Sequence, residues 1–250
     1  YNCKNLETVN FVCKQVAAKA LGAKYFYGCS KIKELEIPSG LTSVLNGNEQ
    51  FAYCTALEKI TIYTKYDIEA YGGSFTGCAS LSTIDFQKVE QTITDDDGNV
   101  IGYAKTKKVY PVYLYGSLYK GTAVKQAKVG NYDCYLAEGC LAGSNIEVLV
   151  VDAHYLELWQ PLEGPMMGTF SYADALREVW FVGDMEDGIY FDEFAFGYLD
   201  HEVCFYFETM TYDDLVDWIG DDTWFTSASE NAKFYFADEI PAGKQPHEGL

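Results

Sequence analysis

The sequence predicts a mixed α/β repeat solenoid of about nine coils, with a parallel β-sheet on one face and short helices or 3₁₀ turns on the other. Three observations predict it. A short string recurs, with Cys3, Cys29, Cys54 and Cys78 spaced by 26, 25 and 24 residues. Each copy has apolar residues three, six and eight positions after its Cys, as in Cys54, Leu57, Ile60 and Ile62. The end of each copy alternates apolar and polar with period two, the signature of a strand with one buried side. One such unit cannot bury its apolar side alone, so stacked units are required.

The strands are expected near residues 9, 35, 60, 84, 112, 149, 179, 205 and 234. From the second copy on, an aromatic stands three residues before the Cys, at Phe26, Phe51 and Phe75. These rings and thiols form the predicted structural ladder of the interior. The template degenerates after residue 86 but returns at Ile146, Leu149 and Val151, and at Phe170, Ala173, Leu176, Val179 and Phe181. Within the departing stretch 87–139, an irregular insert or degenerate coils, Gln91–Thr94 and Val100–Tyr103 flank Asp97-Gly98 as a hairpin. Val112 and Leu114 are the candidate rung there. Helices are expected over Val12–Leu21 and over Tyr212–Ile219, the latter between a Thr211 cap and Gly220. The whole of 1–250 reads as one solenoid domain, with 237–250 as a C-terminal tail.

The string Phe26-Tyr-Gly-Cys29-Ser-Lys-Ile32-Lys-Glu-Leu35-Glu-Ile37-Pro38-Ser39, followed by Phe51-Ala-Tyr-Cys54-Thr-Ala-Leu57, resembles the BspA-like leucine-rich repeat family. The resemblance implies a right-handed leucine-rich-repeat solenoid. It also implies a secreted or surface-attached bacterial protein linked to adhesion and host-protein binding, with no shared catalytic residues. The insert and the loss of Cys at the ladder position after Cys78 depart from the family pattern, so binding specificity is expected to be particular to this chain.

Composition narrows the functions. With 37 acidic against 18 basic residues and a net charge of −19, a general nucleic-acid surface is excluded, because counterion release needs Lys and Arg. At 48% hydrophobic the chain is too apolar for disorder. Apolar runs such as Val148–Val151 fall far short of the ~18 residues a membrane span needs. Tyr1 is preceded by no leader, so any targeting segment is expected to have been removed or to lie outside this sequence, which says nothing of compartment; an extracellular or cell-surface location is what the resemblance implies. The first copy lacks its aromatic, so the chain is expected to begin inside a coil.

Candidate chemistry is sparse. The ladder thiols read as buried and inert, and Cys134 and Cys140 as isolated thiols, with a disulfide between them in an oxidising compartment as the alternative. Asp95-Asp-Asp-Gly98-Asn99 lacks the Gly and Glu of a calcium loop and reads as a hairpin turn. Gly72-Gly73-Ser74-Phe75 lacks the last Gly of a nucleophile elbow. His201 with Cys204, and Glu36 with Asp85, are the remaining pairs, and neither has a defining spacing. No metal, cofactor or catalytic residue is assigned.

The sheet face is more informative. If the template positions point inward, the residues between them point outward: Asn10, Glu36, Thr61, Asp85, Tyr113, Val150, Trp180, Tyr206 and Tyr235. Tyr113, Trp180, Tyr206 and Tyr235 are thus the candidate ligand-binding residues, an aromatic platform for a protein or glycan of a host or neighbouring cell. The competing expectation is that the insert or the tail after Phe236 folds over them. A non-enzymatic binding module is the leading function; a structural spacer, and then a carbohydrate-active enzyme, are the alternatives.

Overall fold

The computed structural model describes residues 1–12, 14–20, 22–42, 45, 47–159, 167–220 and 222–244. In chain order the elements are β1 (Gln15–Ala20), β2 (Glu34–Ile37), β3 (Ser39–Thr42), β4 (Lys59–Thr64), β5 (Ile68–Ala70), β6 (Thr83–Thr94), β7 (Val100–Val109), β8 (Pro111–Leu114) and β9 (Gln126–Val129). They continue as β10 (Asp133–Ala137), β11 (Val148–Val151), β12 (Tyr155–Trp159), β13 (Glu178–Phe181), β14 (Gly188–Phe191), β15 (Val203–Phe207), α1 (Tyr212–Ile219), α2 (Thr223–Thr226) and β16 (Ala232–Tyr235).

The chain is a β-solenoid of about eight turns. Its principal wall is parallel and comes in two blocks, β2-β4-β6 and β9-β11-β13-β15-β16. The template residues are in register across it: Leu35 pairs with Ile60 and then Ile84, and Ile37 with Ile62 and then Phe86. All of these except the half-buried Ile84 are buried, as alternation requires.

Opposite, where turns and short helices were expected, stands a second parallel wall, β5-β8-β10-β12-β14. Its strands also alternate: Cys134, Leu136, Leu156 and Leu158 are buried, while Asp133, Tyr135, Tyr155, Glu157 and Trp159 are not. The turns fill a third side. There Phe51 N–H donates to Ser74 O at 3.0 Å and Tyr53 N–H to Thr76 O at 2.8 Å, so even the turns are bonded rung to rung. The residue before each ladder Cys is left-handed, with φ of 67° at Gly28, 60° at Tyr53 and 74° at Gly77, which explains glycine at two of the three.

The ladder is the core of the N-terminal block. Phe26, Phe51 and Phe75 stack with ring centroids 5.8 and 5.3 Å apart. Two of the ladder thiols donate to a carbonyl of the preceding coil, Cys54 to Phe26 O at 3.0 Å and Cys78 to Phe51 O at 3.1 Å. Burial pushes the Cys54 thiol up to about 12 and that of Cys78 to about 11. Cys29 is buried with them, but Cys3 is exposed, because the first turn has a neighbour on one side only among the described residues. Cys134 and Cys140 are buried free thiols.

Three expectations are corrected. Gln15–Ala20 is a strand paired in parallel with β3, not part of a helix over Val12–Leu21; Cys13 and Leu21 of that prediction lie outside the described residues. Sheet pairing outweighs the helix propensity of the Ala-rich run. The rung assigned to Val112 and Leu114 belongs to the second wall as β8, and the principal wall uses β9. The template missed β9 because Thr122 replaces the Cys. Its hydroxyl accepts from Val124 N–H at 3.4 Å, a tight turn that brings the next apolar residue one position early. Ser144 does the same for Ile146. Finally, the far side carries a sheet rather than helices.

Other expectations hold. α1 spans Tyr212–Ile219 with a Thr211–Asp214 capping box and Gly220 at φ 83°. β6 and β7 form the antiparallel hairpin, closed by Asn99 N–H donating to Asp95 Oδ1 at 2.8 Å. β7 occupies the edge of β6 that β9 would otherwise extend, leaving a cleft of about 150 Å³ lined by Thr83, Ile84, Val109 and Ala127.

Alkylation of the native protein at about pH 8, mapped by mass spectrometry, is expected to modify Cys3 and to spare Cys54 and Cys78 until denaturant is added. Comparable native rates at all three would remove the ladder. The raised thiol values also set a pH dependence: the ladder's stabilisation is complete below the ordinary thiol value of 9.0 and is lost as pH climbs through about 11 to 12.

Candidate functional site

The outward side of the principal wall is aligned as expected and is not open. Val150, Trp180, Tyr206 and Tyr235 occupy consecutive rungs. The Trp180 and Tyr206 rings stack at 4.1 Å and those of Tyr206 and Tyr235 at 5.0 Å. Yet Trp180 is only 1% and Tyr206 3% exposed, and Tyr235 is half-buried. Ile240 packs on this cluster. The Lys244 ammonium lies 5.3 Å from the Tyr206 ring centre and pairs with Glu178, which also accepts from Trp180 Nε1–H at 3.0 Å. The tail therefore folds across the rungs. Exposure of Trp180 and Tyr206 as a platform is overturned in favour of the competing expectation.

The other block has its own cover. Tyr103 of β7 packs on Tyr63 with ring centres 4.4 Å apart, and its hydroxyl accepts from Ser39 N–H at 2.8 Å and donates to Lys14 O. Glu36, Thr61 and Asp85 stand on successive rungs, so the carboxylates of the candidate pair are separated by a whole strand, about 9–10 Å between backbones. Glu36 is 3.7 Å from Lys14.

Tyr113 is elsewhere. It belongs to the second wall, where the register runs Glu69, Tyr113, Tyr135, Glu157, Tyr190 on five consecutive rungs. Tyr113 and Tyr135 stack nearly parallel, 4.4 Å apart and 7° between planes. One pleat along, Tyr71 stacks on Tyr115 at 4.8 Å, and Tyr115 meets Trp159 edge-on at 6.2 Å. Ala137, in register with Trp159 on the strand between them, is buried. Tyr155 packs obliquely on Tyr135 at 5.5 Å, and its hydroxyl donates to Glu157 Oε2 at 3.3 Å.

This face is open. Tyr71 is 37% and Tyr190 50% exposed, and Tyr113, Tyr115, Tyr135, Tyr155 and Trp159 are partly exposed, in the same range as Tyr235. Burial among neighbouring rings, and then Glu157, hold the Tyr155 phenol above its ordinary value; Tyr135 is likewise raised by burial and then by Asp133. Both phenols thus hold their protons more firmly than a free tyrosine. A signal for this face existed in the sequence: Tyr113, Tyr135 and Glu157 recur at a spacing of 22 residues, each between buried neighbours.

The remaining candidates close off as sites. Ser74 of the elbow-like string is buried, its hydroxyl bonded to Gln50 Oε1 at 3.3 Å. His201 is engaged by Asp200 and by Leu176 O. Among the described residues no group of three or more His, Cys, Asp or Glu is placed to hold a metal ion, and no helix is long and apolar enough to cross a membrane.

The family model for the BspA type leucine-rich repeat region matches residues 1–96, in six copies. That segment therefore consists of BspA-type leucine-rich repeats, as the resemblance implied, and the same two-walled plan continues to β16. No curated protein and no solved structure matches the chain.

Removing the tail's grip with Ile240→Ala/Lys244→Ala is expected to make Trp180 more accessible to acrylamide, with Trp180→Phe in the same background identifying its share of the quenching. Quenching equal to wild type would mean that the tail does not control access to these rungs.

Proposed function

We propose that this protein is a non-enzymatic binding module, secreted or displayed on a cell surface, that engages a protein or glycan of a host or neighbouring cell. The outer face of the second wall, with Tyr113 near its centre, is the binding surface. One observation carries this reading: aromatic rings aligned on successive rungs of a rigid sheet remain partly exposed, with Tyr71 and Tyr190 exposed at its two ends, while Trp180 and Tyr206 of the principal wall are buried under the chain's own tail. Rigid tyrosines offer contact area at low entropic cost and suit both sugar rings and protein hot spots. The BspA-type repeats support a binding or structural role in general terms.

A structural spacer is the second reading, favoured by the covering of Trp180 and Tyr206. Trp180, Tyr206 and Tyr235 would contribute to binding only with the tail displaced.

Wild-type protein and a Tyr113→Ala/Tyr135→Ala/Trp159→Ala variant, matched by near-ultraviolet circular dichroism, are to be compared on an array of matrix proteins, mucins and glycans. The expected result is binding by wild type that the variant loses by about thirtyfold or more, the scale of a hot-spot deletion. Equal binding by both places the site on another face. Binding by neither favours the spacer.

A further inference from the structure

At three places this chain holds one of its own lysines between a tyrosine ring and a carboxylate. Lys24 lies 5.1 Å from the Tyr27 ring centre and 2.8 Å from Glu49. Lys128 lies 5.2 Å from Tyr110 and 2.6 Å from Asp152. Lys244 lies 5.3 Å from Tyr206 and pairs with Glu178. The physics is the same each time: the ring's negative face and the carboxylate attract one ammonium from two sides.

The second wall has the same components without the cation. Its five strands contain Glu69, Asp133 and Glu157 and no lysine or arginine. Among the described residues none of these three carboxylates forms an ion pair with a lysine or arginine. All three are interleaved with Tyr113, Tyr135 and Tyr155 on adjacent rungs. The face therefore combines aromatic area with uncompensated negative charge, on a protein whose net charge is −19. An anionic ligand would be repelled. A neutral sugar would use the rings and leave the charges unbalanced.

We infer that the second wall binds a lysine- or arginine-rich polypeptide segment, whose cations sit between tyrosine rings and Glu69, Asp133 and Glu157 as Lys244 sits on Tyr206 and Glu178. This rests on the reading of that wall as the binding face and adds the chemistry of the partner.

The test titrates the intact chain with oligo-lysine, oligo-arginine, an uncharged glycine-serine peptide of equal length and a neutral oligosaccharide, at low and high salt. Asp133→Asn/Glu157→Gln removes two charges from the face. Asp96→Asn/Asp97→Asn, at the exposed turn of the β6–β7 hairpin, removes the same charge away from the second wall. The face variant is expected to weaken oligo-lysine binding about tenfold, the control by less than about twofold, and salt to weaken wild type. Tyr113→Phe/Tyr135→Phe is expected to retain binding and Tyr113→Ala/Tyr135→Ala to lose it, so the phenylalanine pair remains informative if the alanine pair misfolds. Equal losses in the face and control variants, or none in either, would overturn the inference. Tyrosine-dependent binding of the neutral oligosaccharide, with oligo-lysine indifferent to the face, would overturn it while leaving the wider reading intact. Indifference of every probe to the tyrosines would sink both.

Discussion

The structure depends on one constraint: no turn of this solenoid can bury its apolar side without the turn before and after it. Phe51 has little to pack on within its own repeat. It is buried because Phe26 and Phe75 stack on either side. The thiols follow the same rule, with Cys54 and Cys78 each satisfied by a carbonyl one coil away. Register is therefore specified at every level, by strand pairs, turn amides and side-chain bonds together, and a slip of one residue would break all of them at once.

Burial by stacking leaves the outer faces of the walls free to differ. On the principal wall Ile240 and Lys244 of the tail cover the aromatic rungs of the C-terminal block, and Tyr103 of the hairpin packs on Tyr63 in the other block, where Glu36 stays exposed. The second wall is left as the more open aromatic surface, and burial and neighbouring carboxylates disfavour the phenolates of Tyr135 and Tyr155. Of the four aromatics expected to bind, Tyr113 belongs to this open wall.

Much of the fold was legible because inward positions are repeated. The Cys and Phe ladder, the Asp97-Gly98 hairpin and the capped α1 could be read from residue type and spacing alone. The second wall was harder to see, since its alternation in Asp133–Ala137 and Tyr155–Trp159 has no shared Cys or Phe to mark it. β9 was missed because a threonine hydroxyl does the turning at 122 and shortens the unit by one residue. Covering of Trp180 could not be read from periodicity, because it depends on where a tail outside the repeat comes to rest.

The hairpin has a mechanical side as well. Where β7 takes the edge of β6, the hydrogen-bonded ladder of the principal wall stops and restarts at β9. Among the described residues the β5–β8 pairing, turn contacts such as Ala123 N–H to Leu81 O, 2.8 Å, and the continuous apolar core carry the fold across that point. A pull along the solenoid axis is thus borne there by one sheet instead of two. Bending about that seam would change the angle between the two blocks of the principal wall while leaving the pairing within each block intact.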